Sequence, residues 1–137
     1  MDDTTAYAVS VVDGVQPACR YVQQACQRHL DDLDKDWQYH FYRDAAAKFF
    51  KFCSYLKHYK GECAGQQFDL EPWQRFVFGN IYGWLDERSH WRYKQAYIEI
   101  PRKNGKTTMA SAGALYDAGF VERTGAEVYC VATKEDQ

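Results

Sequence analysis

The most informative stretch of the sequence is Pro101-Arg102-Lys103-Asn104-Gly105-Lys106-Thr107-Thr108. An apolar run at residues 97–100 precedes it, and a run of small residues at 109–116 follows it. This order predicts a strand, a tight loop and a helix, which is the setting of a phosphate-binding loop. The alternative from these residues alone is a polar turn that simply starts a helix.

Each residue type in this loop suits the binding of a nucleoside triphosphate with Mg²⁺. Gly105 accepts the positive φ that a loop around a phosphate needs, and Asn104 tolerates it better than most residues. Backbone N–H groups from Asn104 to Thr108 would converge on the β- and γ-phosphates. Lys106 would bring its ammonium to the same oxygens, the Thr107 hydroxyl would bind Mg²⁺, and Thr108 would bond a phosphate oxygen.

The start of the loop departs from the standard pattern. Ile100 stands where the first glycine is expected, and Pro101 has no N–H group and a fixed φ. Arg102 and Lys103 add two cations, so we expect a stiffer and more positive loop, with both side chains as candidate phosphate ligands. Arg102 is predicted to reach the γ-phosphate and, with Lys106, to be catalytic by stabilising transition-state charge. The alternative is that Arg102 and Lys103 are solvated.

The composition limits the classes of protein and of site that this chain can represent. The 137 residues suffice for one domain with a real core, and the net charge of −2 argues against a global basic field. The five cysteines form no C-x-x-C pair, so we interpret them as reduced thiols and expect no Cys/His metal site. No apolar run approaches eighteen residues and no signal peptide is visible, which predicts a cytosolic protein without a membrane partner.

Helical periodicity predicts two helices in the first half of the chain. The first begins near Pro17 and ends at the acidic run 31–36, which we interpret as a solvated linker. The second covers residues 41–59. Its predicted buried side consists of Ala45, Phe49, Phe52 with Cys53, and Leu56. Residues 1–16 show no strong periodicity, and residues 1–5 are expected to be frayed.

A third helix opens with Pro72 in its first turn. Its predicted buried stripe consists of Trp73, Phe76, Val77, Ile81, Trp84 and Leu85. Gln74 lies off this stripe. Its carboxamide has the geometry to pair with an adenine edge, whereas the alternative is an ordinary surface glutamine.

The region around and after the loop predicts the start of a parallel sheet. Residues 95–100 are the first predicted strand, a helix follows over about 107–121, and residues 127–132 are a second strand. The right-handed crossover rule places both strands in one sheet. Residues 133–136 then have the pattern of a helix N-cap, but the sequence ends at Gln137, before the helix itself. We therefore expect an N-terminal piece of a longer α/β protein, or a gene cut short.

Three segments in this order resemble the large terminase subunit of tailed bacteriophages. They are Leu-Glu-Pro-Trp-Gln at 70–74, Pro-Arg-Lys-Asn-Gly-Lys-Thr at 101–107 and Val-Ala-Thr-Lys-Glu-Asp-Gln at 131–137. The helical lead-in, with Cys-Gln-Arg-His-Leu at 26–30, is similar too. The implied fold is a helical region at 1–67 followed, over 68–137, by the first βαβ unit of an incomplete P-loop NTPase (RecA-like) sheet.

The resemblance implies a DNA-packaging motor that uses ATP and Mg²⁺. Such proteins form a ring at the capsid portal in the host cytoplasm, and they work with double-stranded DNA, the portal protein and a small terminase subunit. On that basis Gln74 matches the adenine-reading glutamine of the family. Residues 102–108 match its variant Walker A loop, in which an early arginine senses the γ-phosphate. Residues 133–137 match the start of a segment that couples nucleotide state to DNA grip.

Other parts of that machinery have no counterpart in this sequence. No apolar strand ending in Asp-Glu follows Thr108, and the acidic ligands of a two-metal nuclease are absent. Glu99 and Asp117 are interpreted as structural. The chain is thus expected to bind nucleotide weakly, to hydrolyse ATP only within the full-length protein and to cut no DNA. Two alternatives stay open: a helicase-like DNA translocase, and a non-catalytic prophage remnant.

Overall fold

The computed structural model describes residues 1–57, 65, 67–101, 104–120 and 129. The chain divides into two compact units, Met1–Ala96 and Tyr97–Gln137. The first unit contains helices α1 (Asp3–Val12), α2 (Arg20–Leu33), α3 (Arg43–Tyr55) and α4 (Pro72–Gly83), with strands β1 (Tyr39–Phe41) and β2 (Trp84–Asp86). In the second unit, the described residues form one helix, α5 (Lys106–Gly119). The predicted domain boundary at 67/68 stays a prediction.

Helix α1 corrects the prediction of a frayed N-terminus. The Asp2 side chain caps the helix by accepting a hydrogen bond from the Thr5 backbone N–H at 2.9 Å. One face then buries Thr4, Ala8 and Val11 at helical spacing. Because the cap and the apolar face act together, a segment with a weak pattern still forms a helix.

Helices α1 and α4 approach closely at a glycine. A Cβ built on Gly79 would overlap the Thr4 Oγ1 atom and lie 2.8 Å from the Thr4 Cβ and Cγ2 atoms. Thr4 is fully buried, and its hydroxyl donates to the Arg75 carbonyl at 3.4 Å. The packing of these two helices therefore requires glycine at position 79.

Helix α2 also differs from its prediction, because the helix runs through the first part of the acidic segment. Asp32 is buried, and its carboxylate accepts from Lys35 Nζ at 2.7 Å and from Arg92 Nη2 at 2.6 Å. The interpretation of 31–36 as a solvated linker is therefore wrong at Asp32. Burial opposes ionisation of this carboxyl, but the bonds and charges of Lys35 and Arg92 outweigh it and lower its pKa.

Helices α3 and α4 pack through aromatic side chains. Helix α3 is shorter than the predicted 41–59, and it buries Ala46 rather than Ala45, together with Phe49 and Cys53. Phe49 lies 4.5 Å, between ring centroids, from both Phe78 and Tyr82 of α4. The observed buried residues of α4 are Gln74, Phe76, Phe78, Gly79, Tyr82 and Gly83. The predicted stripe of α4 is thus wrong except at Phe76 and the adjoining Trp84, which is buried in β2.

The sheet seen in the described residues is small and antiparallel. Strand β1 pairs with β2, with His40 opposite Leu85 and Phe41 opposite Trp84. The predicted parallel sheet is not seen. Residues 95–100 form no strand, and their predicted partner at 127–132 lies outside the described residues except for Tyr129. Strands are stabilised by pairing, and among the described residues none pairs with 95–100.

Candidate nucleotide-binding site

The backbone turns sharply at Gly105. Its φ of 74° and ψ of 17° place it in the left-handed region, and it is the N-cap of α5. The Gly105 carbonyl accepts a hydrogen bond from the Met109 N–H at 2.9 Å, which closes the first turn of the helix. The helix predicted to start near Thr107 is confirmed, with its first residue at Lys106.

The first turn of α5 has the character of an anion site. The N–H groups of Lys106, Thr107 and Thr108 belong to the first turn, where a helix offers no carbonyl of its own to accept them. The positive end of the helix dipole lies at the same place. Lys106 and Thr107 are exposed and Thr108 is half-buried, so solvent reaches the Lys106 ammonium and the Thr107 hydroxyl.

The described part of the loop before Gly105 is held together by a side chain. Asn104 Nδ2 donates to the Pro101 carbonyl at 3.4 Å, and both residues are exposed. This contact ties the Asn104 side chain to the Pro101 backbone just before α5. Arg102 and Lys103, two of the residues predicted to contact phosphate, lie outside the described residues.

Helix α5 is anchored on the side away from its exposed first turn. Met109 and Ala112 are its buried residues, and Gly113 and Ala114 are half-buried. At its other end the Tyr116 and Phe120 rings stack with centroids 6.1 Å apart.

Gln74 is buried, which corrects the prediction that it lies off the buried side. Its Oε1 atom accepts a hydrogen bond from the Glu71 backbone N–H at 2.9 Å and so caps α4, whose first residue is Pro72. Gln74 lies in the first unit and the loop around Gly105 in the second. A contact of Gln74 with an adenine base stays a prediction.

The capping role allows a test that separates structure from base recognition. We expect Gln74→Glu to preserve the stability of α4, because glutamate at this position makes the same cap. Gln74→Ala should lower the free energy of unfolding by about 1 kcal/mol. Urea denaturation measures both, and an unchanged stability of the alanine variant would contradict the capping role. If Gln74 also reads adenine, both variants lose ATP affinity, because both lack the amide donor.

Two cysteines are part of the core. Burial raises the pKa of Cys26 to about 11. The same cause raises that of Cys53 to about 12, against a smaller opposite effect of the Arg75 charge. Both thiols therefore stay protonated at neutral pH and are poor metal ligands and nucleophiles. Among the described residues there is no group of three or more His, Cys, Asp or Glu side chains that could hold a metal.

No helix in the described part of the chain has both the length and the apolar character needed to span a membrane.

In a comparison with known protein families, residues 72–137 match the family described as terminase large subunit, ATPase domain. No curated protein and no solved structure matched the chain significantly. The matched residues contain α4, with Gln74, and the loop and helix around Gly105.

Proposed function

Since residues 72–137 match the terminase large-subunit ATPase domain family, we propose that they bind ATP with Mg²⁺ at the Gly105 loop. The free energy of ATP hydrolysis by the full-length protein would then drive double-stranded DNA into a capsid. The observation that carries the proposal is the left-handed Gly105 at the start of an exposed helix N-terminus, followed directly by Lys106 and Thr107. That combination brings backbone donors, an ammonium group and a hydroxyl to one place.

Each residue of the loop has a proposed role. The N–H groups from Asn104 to Thr108 hold the β- and γ-phosphates, and Lys106 neutralises the charge on the same oxygens. Lys106 acts in catalysis by stabilising the charge that develops on the γ-phosphate. Thr108, which is half-buried, donates its hydroxyl to a phosphate oxygen.

Mg²⁺ suits the donor that the loop offers. The exposed Thr107 hydroxyl is a neutral oxygen ligand, and Mg²⁺ prefers oxygen ligands together with substrate phosphates and water. In this proposal Thr107 supplies one oxygen, and the bound ion offsets phosphate charge. Any other metal ligands of the complete ATPase would come from residues outside the described part of this chain.

Arg102 and Lys103 complete the proposed loop. A guanidinium two residues before Asn104 has the length and the fork of donors to grip a γ-phosphate, which makes Arg102 the proposed second catalytic cation. Lys103 adds a further positive charge near the phosphates. Gln74 is the proposed contact to the base, with its carboxamide oriented by the Glu71 N–H.

The proposed partners follow from the packaging function rather than from contacts in the structure. They are double-stranded DNA, the portal protein, the small terminase subunit and further copies of the full-length protein in a ring. Hydrolysis is proposed for the full-length protein. For this chain the proposal is limited to binding ATP with Mg²⁺ in a cytoplasmic setting.

The proposal is tested by comparing two glycines that have the same positive φ. Gly105 and Gly14 both have a φ of 74°, and a Cβ at Gly14 would have nothing within 4 Å. Valine in this conformation costs at least about 1–2 kcal/mol, so Gly105→Val should deform the loop. We expect it to lower affinity for ATP-Mg²⁺ by at least about tenfold, the equivalent of 1.4 kcal/mol.

Gly14→Val is the matched control, because it carries the same backbone strain away from the loop. It should bind ATP-Mg²⁺ as the unchanged chain does, measured by isothermal titration calorimetry. Equal affinities of the two variants would contradict the proposal, and so would an unchanged chain that gives no binding heat at millimolar ATP-Mg²⁺.

A further inference from the structure

A buried histidine lies where α1, α2, α4 and β2 meet. His29 is 1% exposed, and the rings of Phe41, Phe76 and Trp84 contact it edge-on. Its Nε2 atom lies 3.2 Å from Thr5 Oγ1, and its Nδ1 atom lies 3.1 Å from Asn80 Oδ1. Both ring nitrogens therefore have polar neighbours in an otherwise aromatic pocket.

The Asn80 side chain decides which nitrogen carries the proton in the neutral ring. Asn80 Nδ2 donates to the Phe76 carbonyl at 2.9 Å, so Oδ1 is the atom that faces His29. An amide oxygen only accepts, so Nδ1 must be the protonated nitrogen of the neutral imidazole. Trp84 Nε1 lies 3.2 Å from the same oxygen and 3.3 Å from His29 Nδ1. It donates to the oxygen, because an unprotonated Nδ1 at 3.1 Å from Oδ1 would bring two acceptors together.

The Thr5 hydroxyl then has two acceptors and one proton. Its Oγ1 atom lies 2.9 Å from Asp2 Oδ2 and 3.2 Å from the unprotonated Nε2 of His29. The hydroxyl donates to the nearer, charged Asp2 oxygen, so a neutral His29 leaves the contact between Oγ1 and Nε2 without a hydrogen. A protonated His29 supplies Nε2–H to Thr5 Oγ1, and the hydroxyl hydrogen stays on Asp2. The network thus has a place for one additional proton, without moving a heavy atom.

We propose that His29 and Thr5 form a proton-responsive switch between α1 and the helices packed on it. In the neutral state the Thr5 hydroxyl donates to the Asp2 carboxylate at 2.9 Å, and Nε2 has no hydrogen to accept. After a proton binds at Nε2, the Nε2–H donates to Thr5 Oγ1 while the hydroxyl keeps its bond to Asp2. The switch regulates how the N-terminal cap of α1 is held to α2 and α4.

Charges from three elements act on this switch. Asp2 at the cap of α1 and Asp32 of α2 favour the protonated ring, as does the Asn80 bond, whereas Arg92 after β2 opposes it. Burial has the largest effect and lowers the pKa of His29 below its ordinary value of 6.5. The neutral state therefore prevails at pH 7. Its contribution to stability is complete above pH 6.5 and declines as the pH falls through that value.

The test is an NMR titration of the imidazole signals in the complete 137-residue chain. The His29 signal is the one of four that His29→Gln removes. Thr5→Val removes the hydroxyl with little change of shape, and Thr5→Ser keeps it. Because a bond to the charged ring is about twice as strong as one to the neutral ring, we expect Thr5→Val to lower the pKa of His29 by about one unit. Thr5→Ser should leave it nearly unchanged.

Equal pKa values of His29 in the valine and serine variants would overturn the proposal. A second measurement needs no variant and applies even if Thr5→Val fails to fold. The ¹⁵N shifts of the unchanged chain at pH 8 report which ring nitrogen carries the proton. The proposal requires Nδ1–H, and an Nε2–H tautomer would refute it.

Discussion

Gly79→Ala is expected to lower the free energy of unfolding by roughly 3 kcal/mol, although alanine is normally the better residue in a helix by about 1 kcal/mol. Here the substitution destabilises the fold, because the new Cβ would overlap Thr4 Oγ1, and Thr4 is fully buried between α1 and α4. The two helices must move apart or Thr4 must leave its position. Urea denaturation followed by far-UV circular dichroism measures the change.

The matched control is Gly119→Ala at the end of α5, where an added Cβ would have nothing within 4 Å. This variant should be neutral or slightly stabilising. The double variant Thr4→Ala/Gly79→Ala should recover part of the loss, because the Oγ1 and Cγ2 atoms of Thr4 are removed. A Gly79→Ala chain as stable as the control would show that α1 and α4 do not pack as described.

Lys106→Ala is expected to reduce the affinity for ATP-Mg²⁺ by at least tenfold and up to about a hundredfold. A hydrogen bond to a charged group contributes about 1.5–3 kcal/mol, and 1.4 kcal/mol corresponds to a factor of ten in affinity. Lys106 is exposed at the first position of α5, so its removal should leave the fold intact. Fluorescence anisotropy of a labelled ATP analogue measures the affinity.

Lys48→Ala is the control for this change. Lys48 is an exposed lysine on α3, so the variant makes the same change of net charge away from the proposed site. It should bind ATP-Mg²⁺ as the unchanged chain does. A similar loss in both variants would mean that net charge rather than a phosphate contact sets the affinity.

The features that the sequence predicts well are those with local causes. Pro72 at the first position of α4 and Gly105 before α5 act through their own backbone preferences, so their roles follow from residue type and neighbours alone. The small residues of α5 were likewise sufficient to predict a helix there. The same local reasoning identified the loop from Asn104 to Thr108.

The features that the sequence did not predict depend on distant residues. Asp32 is buried because Arg92, sixty positions later, pairs with it. Gln74 is buried because its carboxamide caps the helix. Hydrophobic periodicity predicts only apolar residues at buried positions, so it does not identify this one. The strand predicted at 95–100 is not seen, because a strand also needs a paired neighbour, which an apolar run does not by itself specify. The cap of helix α1 is a local residue, Asp2, but the burial of α1 against α4 depends on the distant residue Gly79.

The central claim is that phosphate binds where Gly105 opens the first turn of α5. The most direct test is a ¹⁵N–¹H correlation spectrum of the unchanged chain during titration with ATP-Mg²⁺, with adenosine as the ligand that lacks phosphates. The amide signals of Asn104 to Thr108 should shift together and saturably with ATP-Mg²⁺ and hardly at all with adenosine. Saturable shifts confined to other residues, or equal shifts with both ligands, would contradict it.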